Sequence, residues 1–102
     1  MWLISVLPSS RKDKKLVAEF CPCAKKEACR GKDYKKVHFG LKGSTTFTEG
    51  ATEQTKNAYL KRHAPNENWN NPTSAGALSR WLLWEKKSLQ DAIKNFKLKF
   101  NL

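Results

Sequence analysis

The chain has 102 residues, enough for one domain with a small core. Hydrophobic side chains make up 39% and charged ones 28%, which sets it apart from disordered chains, and no apolar run approaches the ~20 residues of a membrane span. Lys and Arg number 20 against 9 Asp and Glu, a net +11, and a surplus of that size implies an anionic partner or a charged assembly.

The first stretch, "MWLISVL", has no basic n-region and meets Pro8 at once. It predicts a strand over 2–7 rather than a signal peptide, and a protein made in the cytoplasm. "SSRKDKK" supplies turn chemistry after it. "LVAEF", 16–20, predicts a second strand, with Leu16, Ala18 and Phe20 on one face. "CPCAKKEACRGKD" is a long loop with Pro22, Gly31 and many lysines. "YKKVHFGLKG", 34–43, predicts a third strand closed by Gly40 and Gly43. These strands form a basic antiparallel meander over 1–43.

The rest is helical. Thr52 caps a helix whose first turn holds Glu53 and whose last turn holds Lys61, Arg62 and His63, each charge at the end the helix dipole favours. Pro65 stops it. Asn71 as N-cap and Pro72 at the first helical position predict a second helix over 72–84. Trp81 and Trp84 share a flank of it, and Trp69 in the preceding loop acts as a plug. Ser88 and Asp91 start a third helix, 89 to about 100, with Leu89, Ala92, Ile93, Phe96 and Phe100 on one stripe. The expectation is a single α+β domain over 1–102, with 51–102 as the helical part.

Three signals touch chemistry. Cys21, Cys23 and Cys29 with His38 can supply four zinc ligands, but no paired C-x-x-C is present and Pro22 stiffens the shorter pair. Free, reduced thiols are the expected state, because an odd cysteine count makes no closed disulfide framework. "HFGLKG" lacks the spacing of a phosphate loop and is expected to be a strand end, with His38 packed or at the surface. Arg62, His63 and Glu67 have acid–base character but no evident nucleophile. No catalytic residue, metal or cofactor is therefore expected.

The basic segments carry more weight. Residues 11–42 hold 11 basic and 4 acidic side chains, so the surplus concentrates there. The expected partner contacts are Arg11, Lys12, Lys14, Lys15, Lys25, Lys26, Arg30, Lys35 and Lys36, with Trp84 reaching out from the helical half. Lysines outnumber arginines 16 to 4, which favours point-charge contact over base reading. Non-specific contact with nucleic acid stays open.

"VHFGLKG", "AYLKRH", "NENWNNPTSAGALSRWLLW" and "SLQDAIKNFKLKF", in this order, resemble a family of small basic proteins of nucleocytoplasmic large double-stranded DNA viruses. The shared pattern includes H-F-G-x-x-G and E-N-W-x-x-P-x-[TS]-A-G-x-[LW]-S-R-W-x-L-W. It places His38, Gly40, Gly43, Trp69, Pro72 and Trp81 in a structural motif. The stretch 44–55 and the cysteine loop depart from it. The resemblance implies a virion component: a minor capsid protein that bridges or cements capsomers, with the major capsid protein and other minor capsid proteins as partners. It carries no catalytic residues with it.

Overall fold

A computed structural model describes residues 1–30 and 33–102. Gly31 and Lys32, part of the basic loop, lie outside the described residues. Three strands, β1 (Trp2–Pro8), β2 (Lys14–Cys21) and β3 (Lys35–Leu41), form an antiparallel sheet in the order β1-β2-β3. Helices α1 (Glu53–His63), α2 (Ala75–Leu78) and α3 (Leu89–Phe100) follow. The fold is α+β, as expected. Among the described residues, no helix is long and apolar enough to cross a membrane.

The sheet buries one face against the helices. Leu3, Ala18, Phe20 and Phe39 meet Leu78, Leu82, Ala92 and Phe96 in one core. Strict alternation along β1 would put Leu3 and Val6 on opposite faces. Leu3 pairs with Phe20 and Ser5 with Glu19, which leaves Ile4 as an extra, bulged residue. The bulge turns Leu3 and Val6 to the same side and frees Ser5 to hydrogen-bond Glu19 on the other.

Helix α1 is capped as expected: Thr52 Oγ1 accepts from the Thr55 N–H at 3.2 Å. It packs through buried Tyr59 and half-buried Leu60. A 3-10 turn over Ala64–Asn66, holding Pro65, ends it. Ser88 Oγ likewise accepts from the Asp91 N–H, and Asn101 closes α3 in the left-handed conformation.

The second helix differs from the expectation. It starts at Ala75, with Ser74 as N-cap, and not at Pro72. Asn71 bends its Oδ1 to the Thr73 N–H and hydroxyl, and Ser74 Oγ takes the Ala77 N–H. Both residues suit a cap. The later one wins because Asn71 spends its oxygen on a local turn, and Pro72 stands in that turn. After Leu78 the helix widens into a π turn over Ser79–Leu83. Leu82, Leu83 and Trp84 are all buried. Three consecutive residues span about 200° of an α-helix, too much for one face. A wider turn shortens the angle between them and lets all three face inward.

The stretch 44–55 also acquires structure. Thr46 and Glu49 form a reciprocal capping box around a 3-10 turn, Phe47–Glu49, which seats Phe47 in the core. Thr46, at 1% exposure, is satisfied by Glu49 and Thr48. Lys15, aliphatic stem and all, folds back to Glu49 at 2.9 Å and is 13% exposed. Lys15 therefore serves inside the chain instead of reaching a partner. The Lys15 ammonium is the main reason the Glu49 carboxyl lies below its usual range.

Candidate functional site

Segments scattered in sequence converge on one cleft of about 310 Å³. Of the motif residues His38, Gly40, Gly43, Trp69, Pro72 and Trp81, its lining includes Gly40. The end of β3 supplies Gly40, the end of α1 supplies Tyr59, Arg62 and His63, and the loop and helix beyond supply Glu67, Gly76, Ser79 and Trp84. Gly40 has a φ of +82°, and a Cβ there would stand 2.7 Å from Leu83 Cδ1. Only glycine lets β3 pass this close to the helix at that backbone conformation.

Tyr59 sits at the centre. The Trp84 ring stacks on it at 4.3 Å, nearly parallel at 7°, and the His63 ring stacks at 4.3 Å and 28°. Two rings cannot share one face at those distances, so Tyr59 is sandwiched. Burial, and then the negative charge of Glu67, push its phenol up to about 12. A raised pKa means that the folded chain disfavours phenolate. The stability this confers is complete below pH 10 and is lost between about pH 10 and 12. An ultraviolet alkaline titration should show one tyrosine ionising near pH 12, and Tyr59→Phe should remove that step.

Beyond His63 the chain of contacts continues. His63 Nδ1 lies 3.2 Å from Glu67 Oε1, four residues on. Trp69 Nε1 donates to Glu67 Oε2 at 3.2 Å. A Cβ on Gly76 would collide with this same carboxylate. Trp81 Nε1 donates to the Trp69 carbonyl at 2.8 Å. Trp69 thus pins the loop to the helix, as expected of a plug. The Arg80 guanidinium lies over both Trp69 and Trp81, 5.3 and 4.3 Å from their ring centroids, and reaches Glu85 at 3.3 Å. Arg80 Nε is buried without a hydrogen-bond partner among the described residues.

What can this arrangement do? His63, Glu67 and Tyr59 are its polar centre. Among the described residues, His63 hydrogen-bonds to Glu67 alone. Glu67 is engaged by His63 and Trp69 together. The cleft works as a lock between loop, helix and sheet, with Arg62 and Lys14 at its lining.

The other anticipated residues fall in separate places. Trp84, expected to reach a partner, is 7% exposed and belongs to the core. Its stacking on Tyr59 is a tertiary contact that helical spacing does not reveal. His38 does not approach the cysteines. Its Nδ1 is 2.7 Å from Ser9 Oγ, and it pairs in register with Val17, four residues along β2 from Cys21. The four-ligand zinc set is thereby excluded. The thiols are also not all free: Cys21 and Cys29 form a disulfide, Cα–Cα 5.9 Å, beside free Cys23. Strand β2 runs one residue further than expected, through Cys21, and the loop folds Cys29 back onto it.

The basic residues gather at the two ends of the sheet. Arg11 and Lys12 lie in the β1–β2 turn, next to Lys42, whose N–H bonds the Asp13 carbonyl. Lys25, Lys26 and Arg30 lie in the loop at the opposite end, where Lys35 pairs in register with Phe20. All of these are exposed. Six residues of β2 separate the ends, roughly 20 Å. Lys14 is half-buried, and Lys36 approaches Glu19 at 3.8 Å. Among the described residues, only Arg11, Lys15, Lys36, Lys56 and Arg80 of the Lys and Arg set come within 4.0 Å of a carboxylate.

Comparison with curated proteins and with solved structures finds no match. A family model does match, over residues 4–63, from β1 to the last residue of α1. It spans more than half of the chain and includes the sheet with both of its basic ends. The chain therefore belongs to DUF5754, a family of unknown function.

Proposed function

We propose that this protein is a non-enzymatic cementing component of a large DNA virus particle, a minor capsid protein that bridges acidic surfaces of capsid proteins. The observation that carries the reading is the pair of basic ends, roughly 20 Å apart on one rigid sheet. Several acidic side chains are engaged inside the chain. Glu19, Glu49 and Glu85 each pair with a lysine of the same molecule, and Glu67 hydrogen-bonds with His63. Lys12 and Lys42 at one end, and Lys25, Lys26, Arg30 and Lys35 at the other, bring no side-chain charge within 4.0 Å of a carboxylate among the described residues and are left to meet outside anions. Two cationic ends on opposite sides suit a bridge between two bodies better than a single continuous track along a nucleic acid. Each contact is weak and screened by salt, but a lattice repeats it many times. The packed cleft supports the same reading, since its polar residues hold one another and make the bridge stiff. The viral setting rests on the sequence resemblance.

Purified particles decide the matter. The protein should co-purify with intact virions at a copy number fixed by capsid symmetry and should be released by raised salt. Charge reversal at both ends, Arg11 and Lys12 together with Lys25 and Lys26 to Glu, should abolish its retention, while reversal at one end leaves it attached to separated capsomers. Absence from virions would overturn the proposal. Binding to duplex DNA with a steep loss of affinity in salt, and none to capsid protein, would replace it with the nucleic-acid reading.

A further inference from the structure

The cysteine cluster is unused by the reading above. The sulfurs of Cys21, Cys23 and Cys29 all lie within 4.8 Å of one another. Cys21 and Cys29 are buried, and Cys23 is half-exposed at the rim. A structural disulfide needs two cysteines. A third sulfur held at the same point has no part in that bond, and no core packing requires it at a half-exposed position. We propose that the three sulfurs form a redox-gated site for one thiophilic d10 cation, Zn2+ or Cu+.

The chemistry balances in two steps. In the oxidised chain the Cys21–Cys29 bond occupies two of the three sulfurs, and Cys23 alone binds a metal poorly. A dithiol reductant transfers two electrons and two protons to the bond, and is itself oxidised to a disulfide. Three thiols then stand together. Binding of the cation releases three protons and leaves three metal–thiolate bonds. Thiolate is the form that soft cations select. Three sulfurs complete a trigonal Cu+ site, and Zn2+ adds one water to reach four ligands. Either complex carries net negative charge, which Lys25, Lys26 and Arg30 in the same exposed loop can offset. Zinc through His38 is a different site, and the place of His38 beside Val17, four residues along β2 from Cys21, excludes it.

The gate also couples metal to the sheet. Cys21 is the last residue of β2, and the loop that returns Cys29 to it carries one basic end of the protein. Loss of the disulfide without metal loosens that loop, and metal binding closes it again.

The experiment uses the full chain in three forms: oxidised wild type, reduced wild type, and reduced Cys23→Ser. Each is freed of reductant without air and titrated with Zn2+, and separately with Cu+, against a chromophoric chelator. Native mass spectrometry counts the bound ion. Reduced wild type should bind one equivalent of at least one of the ions. The oxidised chain should bind at least 100-fold more weakly. So should Cys23→Ser, a half-exposed position at which the fold survives, as circular dichroism will verify. Equal binding by reduced wild type and Cys23→Ser overturns the site. Equal binding by oxidised and reduced chains overturns the gate. Failure of the reduced chain to bind either ion overturns both. None of these outcomes depends on whether the protein resides in a capsid.

Discussion

Trp84→Ala should destabilise the protein by about 3–5 kcal/mol, the usual cost of emptying a buried aromatic site. The midpoint of thermal unfolding should fall by about 12 °C or more. The magnitude follows from where the ring sits: 7% exposed, stacked on Tyr59, in the same core as Phe96. A domain of this size holds only about 5–15 kcal/mol in total, so a large part of its stability goes. Trp84→Phe keeps a ring on Tyr59 and should cost much less. A calorimetric shift under about 1 kcal/mol for the alanine variant would show that Trp84 is a surface ring after all.

Gly76→Ala should also destabilise, and here the sign is the test. Replacing a helical glycine by alanine ordinarily helps by up to about 1 kcal/mol. At Gly76 the new Cβ enters the space of the Glu67 carboxylate. That carboxylate cannot simply swing away, because His63 and Trp69 both hold it. Displacing it breaks two contacts and should cost about 1–3 kcal/mol, more than propensity returns. In a Glu67→Ala background the obstacle is gone, and the same change should be neutral or mildly stabilising. Chemical denaturation of the four proteins of this double-mutant cycle gives the coupling, expected at about 0.5–3 kcal/mol. Additive effects would mean that Gly76 and Glu67 do not meet.

These two sites mark what the sequence discloses and what it withholds. Local signals were legible. Thr52 and Ser88 cap their helices as their residue types demand, and Pro65 ends α1. The three strands follow from apolar runs between turn residues. Competition between neighbours was harder to read. Asn71 and Ser74 are both good caps, and nothing local says which one the chain uses. The bulge at Ile4 is hidden in the same way, because only the register with β2 exposes it. The cleft was half legible. Tyr59 and His63 stand four apart on α1, so their proximity can be anticipated, whereas Glu67 lies beyond the end of that helix. The approach of Gly40 and Gly76 to that line is a tertiary event with no local signature. The Cys21–Cys29 pairing belongs to the same class, since three cysteines in a loop say nothing about which two will meet.

The order β1-β2-β3 has one more consequence. A three-stranded sheet ends in two strands with unsatisfied backbone groups along their outer sides, each a template for another copy of the chain. Strand β1 carries a bulge and ends in proline, both of which spoil such a template. Strand β3 begins with Lys35 and Lys36, and exposed lysines on an edge strand disfavour its pairing with another chain. The lysine excess thus guards the open edge of β3 against fibre-like aggregation.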